Sequence, residues 1–161
     1  MAKSTKYAVL ICIALSVILL IGIIVGLYFS NALIIIICML PAVIYEVYRT
    51  EGKSTKWASS SMLLILILET MLLIFKINID LAKYFELTGS YVGGYFVPFG
   101  DLRVLGPTIV AVISIILFVR TYGIYTKWLA IIIFAGAFTT IYILDPEIFK
   151  SLLGEGINRG I

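Results

Sequence analysis

Four ionisable residues stand at helical spacing in an otherwise apolar stretch: Glu69, Lys76, Asp80 and Lys83. Steps of seven, four and three residues keep them on one face of a helix. Glu69 lies 12 residues beyond Trp57, which is about 18 Å at 1.5 Å per residue. A charge near the centre of a bilayer costs at least about 2.5 kcal/mol, so such a residue pairs, protonates or serves a pathway. The chemistry this pattern would support is a proton or cation relay, from an acid at mid-depth along alternating charges to the surface. The structural alternative is a neutral Glu69 hydrogen-bonded to a neighbouring helix, with Lys76 and Lys83 reaching for the headgroups and Asp80 pairing locally. Ser59, Ser60 and Ser61 precede Glu69 on the same helix, where small hydroxyls suit close packing or a polar lining.

A second pattern is a repeated loop. Arg49-Thr50-Glu51-Gly52-Lys53-Ser54-Thr55-Lys56-Trp57 aligns with Arg120-Thr121-Tyr122-Gly123-Ile124-Tyr125-Thr126-Lys127-Trp128, with six of nine positions identical at a constant offset of 71. Interfacial lysine and tryptophan arise independently in many membrane proteins. An Arg-Thr pair, a glycine and a threonine in fixed register point instead to duplication of a helix–loop–helix unit. Gly52 and Gly123 are expected to supply a left-handed turn, Thr55 and Thr126 to cap the following helix, and Lys56, Trp57, Lys127 and Trp128 to anchor it. Glu46, three residues before Arg49, reads as half of a surface pair.

The connection from 87 to 106 is glycine-rich and aromatic, with Tyr91, Gly94, Asp101 and Arg103 as its candidate functional residues. It either re-enters the membrane to line a cavity or forms an outer connection with an aromatic belt. Phe99-Gly100-Asp101 lacks the first glycine of the Gly-x-Gly-Asp signature of intramembrane aspartyl proteases, because Pro98 stands there.

The elements that must position these residues follow from composition. Of 161 residues, 62% are apolar and 13% charged. Soluble domains run nearer 45–50% and 25%, and about 100 apolar residues match five spans of roughly 20. The fold class expected is all-α: a polytopic membrane protein of five transmembrane helices, with two tandem helix hairpins after an N-terminal span. The spans are expected at about 8–29, 32–48, 57–79, 107–122 and 128–144, in one membrane domain with an extramembrane tail at 145–161. The third helix reads as continuing to about Glu86, Pro41 lies inside the second, and Pro107 is placed as the first residue of the fourth. The first run has 22 apolar residues with no cleavage-like stretch after it, so it reads as a retained span.

Lysine and arginine asymmetry sets the orientation. One side would hold Lys3, Lys6, Arg49, Lys53, Lys56, Arg120 and Lys127 with only Glu46 and Glu51. The other would hold Lys76, Lys83, Arg103, Lys150 and Arg159 with six acids. The N-terminus is therefore expected in the cytoplasm and the C-terminus outside the cell membrane.

Histidine is absent, which removes the commonest general base and metal ligand. Cys12 and Cys38 differ in expected depth by about 16 Å, too far for a disulfide. A net charge of +3, scattered along the chain, gives no nucleic-acid footprint. No catalytic residue, metal site or cofactor is expected, and no enzyme. The expected partners are the lipid bilayer and either other membrane subunits or further copies of the chain. The leading functional expectation is a non-catalytic subunit of a larger membrane assembly with a charged step in ion or proton movement. The alternative is an independent small carrier or channel acting as a homo-oligomer.

Overall fold

The computed structural model describes residues 7–77, 91–92, 95–96 and 102–146. Five helices account for nearly all of them: α1 (Ala8–Tyr28), α2 (Ala32–Arg49), α3 (Lys53–Ile74), α4 (Leu102–Arg120) and α5 (Ile124–Leu144). Each is long and apolar enough to cross a membrane. A two-residue antiparallel pair, β1 (Tyr91–Val92) with β2 (Tyr95–Phe96), lies between α3 and α4 in the chain, with Tyr91 opposite Phe96.

The helices α2, α3, α4 and α5 form a ring in which each packs on the next and α5 closes on α2. Helix α1 packs against α2 and α5. Inside the ring lie Ile35, Ile36, Met39, Val43, Met62, Leu66, Val110, Leu117, Leu129 and Ile133, all buried. At most 44% of the most apolar stretch of any helix is buried, so large apolar side chains such as Leu10, Ile24, Leu64 and Val119 face outward. That surface suits lipid contact, because hydrocarbon tails are as apolar as the core.

Small residues let α1 lie close to α2. Gly22 and Gly26 form a Gly-x-x-x-Gly stripe, and a Cβ on either would overlap Cys38 or Ile35 respectively. Gly136 of α5 lies similarly against Met39 and Leu19. Hydroxyls inside the helices satisfy themselves locally: Ser114 and Thr140 each donate to the carbonyl four residues back, at 2.8 Å. Trp128 Nε1 donates to Ser16 Oγ at 2.8 Å, tying α5 to α1. Both cysteines are free.

Helices α1 and α3 end in the same way. Ser30 (φ 49°) and Lys76 (φ 51°) take left-handed backbone. The N–H of the next residue reaches back to the carbonyl five positions earlier, Asn31 to Gly26 at 2.9 Å and Ile77 to Leu72 at 3.0 Å. This 6→1 closure normally recruits glycine at the left-handed position. It ends α3 at Ile74, well short of Glu86.

Several other boundaries also differ from the sequence reading. Helix α3 starts at Lys53 and α5 at Ile124, each four residues ahead of its tryptophan, since an extra turn at the interface holds polar side chains without cost. Helix α4 starts at Leu102, which places Pro107 inside it and buried. Pro107 cannot donate to the carbonyl of Arg103 four residues back. That first turn is instead tied to the segment that follows α3 by Arg103 Nε, which donates to the carbonyl of Ile77 at 3.0 Å.

Candidate functional site

The two repeated loops lie at the same end of the ring, and their helix boundaries coincide at the offset of 71. Helices α2 and α4 end at Arg49 and Arg120, while α3 and α5 begin at Lys53 and Ile124. Burial follows the same register. Ser59, Met62, Leu66 and Glu69 are the buried residues of α3, and their counterparts Ala130, Ile133, Ala137 and Thr140 are buried in α5. Ile35, Ile36, Met39, Val43 and Glu46 of α2 correspond likewise to buried Gly106, Pro107, Val110, Ser114 and Leu117 of α4.

The loops touch reciprocally. The Arg49 guanidinium lies over the Tyr125 ring, 4.6 Å from its centroid, and Arg120 Nη1 donates to Ser54 Oγ at 3.3 Å. Arg120 is the counterpart of Arg49, and Tyr125 the counterpart of Ser54. Each arginine therefore meets, in the other hairpin, the residue five positions beyond the other arginine.

Between the loops lies a cleft of about 790 Å³ lined by Arg49, Thr50, Glu51, Thr55 and residues 120–126. Arg49 is only 5% exposed, and among the described residues no hydrogen bond reaches its Nε or Nη1. Behind it, Thr50 Oγ1 donates to Glu46 Oε1 at 3.0 Å, and Ser59 Oγ lies 3.4 Å from the same threonine hydroxyl. Glu46 is fully buried, so it is not half of a surface pair, and no hydrogen bond from the described residues reaches its Oε2. Buried ionisable groups of this kind are costly unless compensated.

The two loops differ in detail. Gly52 takes a left-handed backbone (φ 123°), as expected, whereas Gly123 does not (φ −75°). Thr55 and Thr126 do not cap their helices. Their hydroxyls donate back to the carbonyls of Gly52 and Gly123, at 3.2 and 2.7 Å. Both helix N-termini thus lack a side-chain cap. Lys56 and Trp57 are exposed, Lys127 Nζ sits over the Phe118 ring at 5.5 Å, and Trp128 is bonded to Ser16.

Glu69 is 2% exposed, and its carboxyl packs against Gly106 of α4, so closely that a Cβ there would overlap Oε2. It stands five residues from the end of α3, roughly 8 Å along the axis, nearer the far end of the ring than its middle. The expected continuous face from Glu69 through Lys76 is not formed, because the helix has stopped at Ile74 and Lys76 turns left-handed. Lys76 instead lines a cleft of about 520 Å³ with Ser30 and Asn31 at the end opposite the loops. Asp80, Lys83, Gly94 and Asp101 lie outside the described residues, Tyr91 pairs with Phe96 in β1, and Arg103 belongs to α4 rather than to a loop.

Sequence reasoning missed the burial of Glu46 and Arg49 and the part played by Tyr125 and Gly106. One signal was available: Glu46, Arg49 and Thr50 share a face by their spacing of three and four. Among the described residues no group of three or more metal-ligating side chains gathers. Comparison with protein-family models, with curated proteins and with solved structures finds no match for this chain.

Proposed function

We propose that the protein is a small carrier or channel of the cell membrane, built from a duplicated helical hairpin, with its path running between the two copies. The observation that carries this reading is the reciprocal contact of Arg49 with Tyr125 and Arg120 with Ser54 across the loops. Parallel repeats related by an axis along the membrane normal place transport sites at the repeat interface. The ring of α2 to α5 has buried polar groups toward both ends, Glu46, Arg49 and Thr50 at one and Glu69 and Thr140 at the other. Met39, Met62, Val110 and Ile133 fill the space between with apolar side chains, as a closed state requires. Glu69 is the group proposed to take up and release the ion or proton at its end of the path. The loops face the cytoplasm in this reading, following the excess of lysine and arginine there, and the N-terminus lies on the same side.

The native mass of protein extracted gently from its own membrane tests the proposal. A carrier runs alone or as a simple multiple of 17.8 kDa. Migration in fixed stoichiometry with other chains would make it a subunit of a larger assembly, and the path would then have to be sought among those chains.

A further inference from the structure

We infer that the cleft between the two loops is a binding site for a phosphate-bearing anion, held by Arg49 and Arg120. Three independent features converge there. Arg49 is 95% withdrawn from solvent yet lines the cleft, and among the described residues its Nε and Nη1 have no acceptor. Its guanidinium lies over the face of Tyr125, where cation–π attraction orients the plane, with the buried Glu46 carboxyl near enough to act on it electrostatically. Arg120 also lines the cleft and spends one nitrogen on Ser54 at 3.3 Å, a long and replaceable bond. The N-termini of α3 and α5 both open at this end behind a glycine, with no side chain capping their first N–H groups. A helix N-terminus carries about half a positive charge and unsatisfied donors, both favourable to an anion.

The chemistry of the donor set selects the ligand. Two guanidinium groups flanking a cleft match the several oxygens of a phosphoryl group through paired N–H···O bonds. Glu51, an exposed acid that also lines the cleft, opposes anion binding, so the ligand must engage both arginines at once to overcome it. Such a group arrives either as a soluble phosphate compound or as the headgroup of an anionic lipid, since the cleft opens at the end where the helices leave the apolar region. Occupancy would bridge the two hairpins. The inference does not depend on transport, because a subunit that moves nothing would hold the same ligand.

The test uses the full chain in nanodiscs of phosphatidylcholine alone or with phosphatidylglycerol, titrated with inorganic phosphate and followed by thermal unfolding and native mass spectrometry. A phosphate-dependent rise in unfolding temperature in neutral discs assigns a soluble ligand. A rise produced only by phosphatidylglycerol, with lipid retained on the protein, assigns a headgroup. Arg120→Gln, at an exposed residue and checked for retained helicity, weakens either effect at least tenfold. Arg49→Lys, which keeps the charge and loses the planar fork, does the same. The inference is overturned by a protein whose stability responds to neither ligand, or by a response that survives both substitutions unchanged.

Discussion

The contact between Glu69 and Gly106 gives a prediction whose size can be worked from geometry. A Cβ added at Gly106 would overlap Glu69 Oε2 and lie 2.9 Å from its Cδ and 3.4 Å from its Cγ. Glu69 is 2% exposed, so its carboxyl can move aside only within the packed interior of the ring. Overpacking of this kind costs about 1–3 kcal/mol, while alanine in place of glycine inside a helix returns about 1 kcal/mol. Gly106→Ala should therefore destabilise the protein by up to about 2 kcal/mol. In a Glu69→Ala background the clashing atoms are gone, and the same change should stabilise by up to about 1 kcal/mol. The coupling between the two sites is then about 1–3 kcal/mol, far outside the ~0.5 kcal/mol expected for independent positions. Reversible unfolding in mixed micelles, followed by circular dichroism across the four-member cycle, measures it. A Gly106→Ala cost that is the same in both backgrounds would refute the packing of the acid against α4.

Three further outcomes follow from local geometry. Gly52→Ala should destabilise by about 1–3 kcal/mol because φ is 123° there, while Gly123→Ala at φ −75° should stay within about 0.5 kcal/mol; paired thermal melts compare them. Gly26→Ala, whose Cβ would overlap Ile35, should cost about 1–3 kcal/mol and loosen α1, read as faster hydrogen exchange in 8–28 with α3 unaffected. Trp128→Phe should cost about 1 kcal/mol by removing the donor to Ser16, and the loss should be absent when Ser16 is already alanine.

Much of the scaffold was legible because apolar run length is a strong physical signal. The five helices, the two-residue turn at Ser30-Asn31 and the burial of Glu69 all follow from it. The 71-residue register was also visible, since the loop residues that set helix ends are the ones repeated. The end of α3 was not, because Lys76 occupies a left-handed position that ordinarily announces itself as glycine. The start of α4 was misplaced because Pro107 is a good first residue of a helix, and the turn before it depends on a tertiary bond from Arg103. Arg49 was legible as an arginine near an interface and not as a buried one. One face of its guanidinium is covered by Tyr125, a residue 76 positions further along. Gly22 and Gly26 needed the partner helix in view before their spacing carried meaning.

We propose that ions or protons cross between the two hairpins by way of Glu69. Proton entry into vesicles containing the purified protein, driven by an imposed potential and read with an internal pH dye, tests it most directly. Entry should be faster than in empty vesicles, with Glu69→Gln reducing it to the empty-vesicle rate while retaining the wild-type helicity. Flux through Glu69→Gln equal to that of the wild type, or wild-type vesicles no leakier than empty ones to protons and small ions alike, would contradict it.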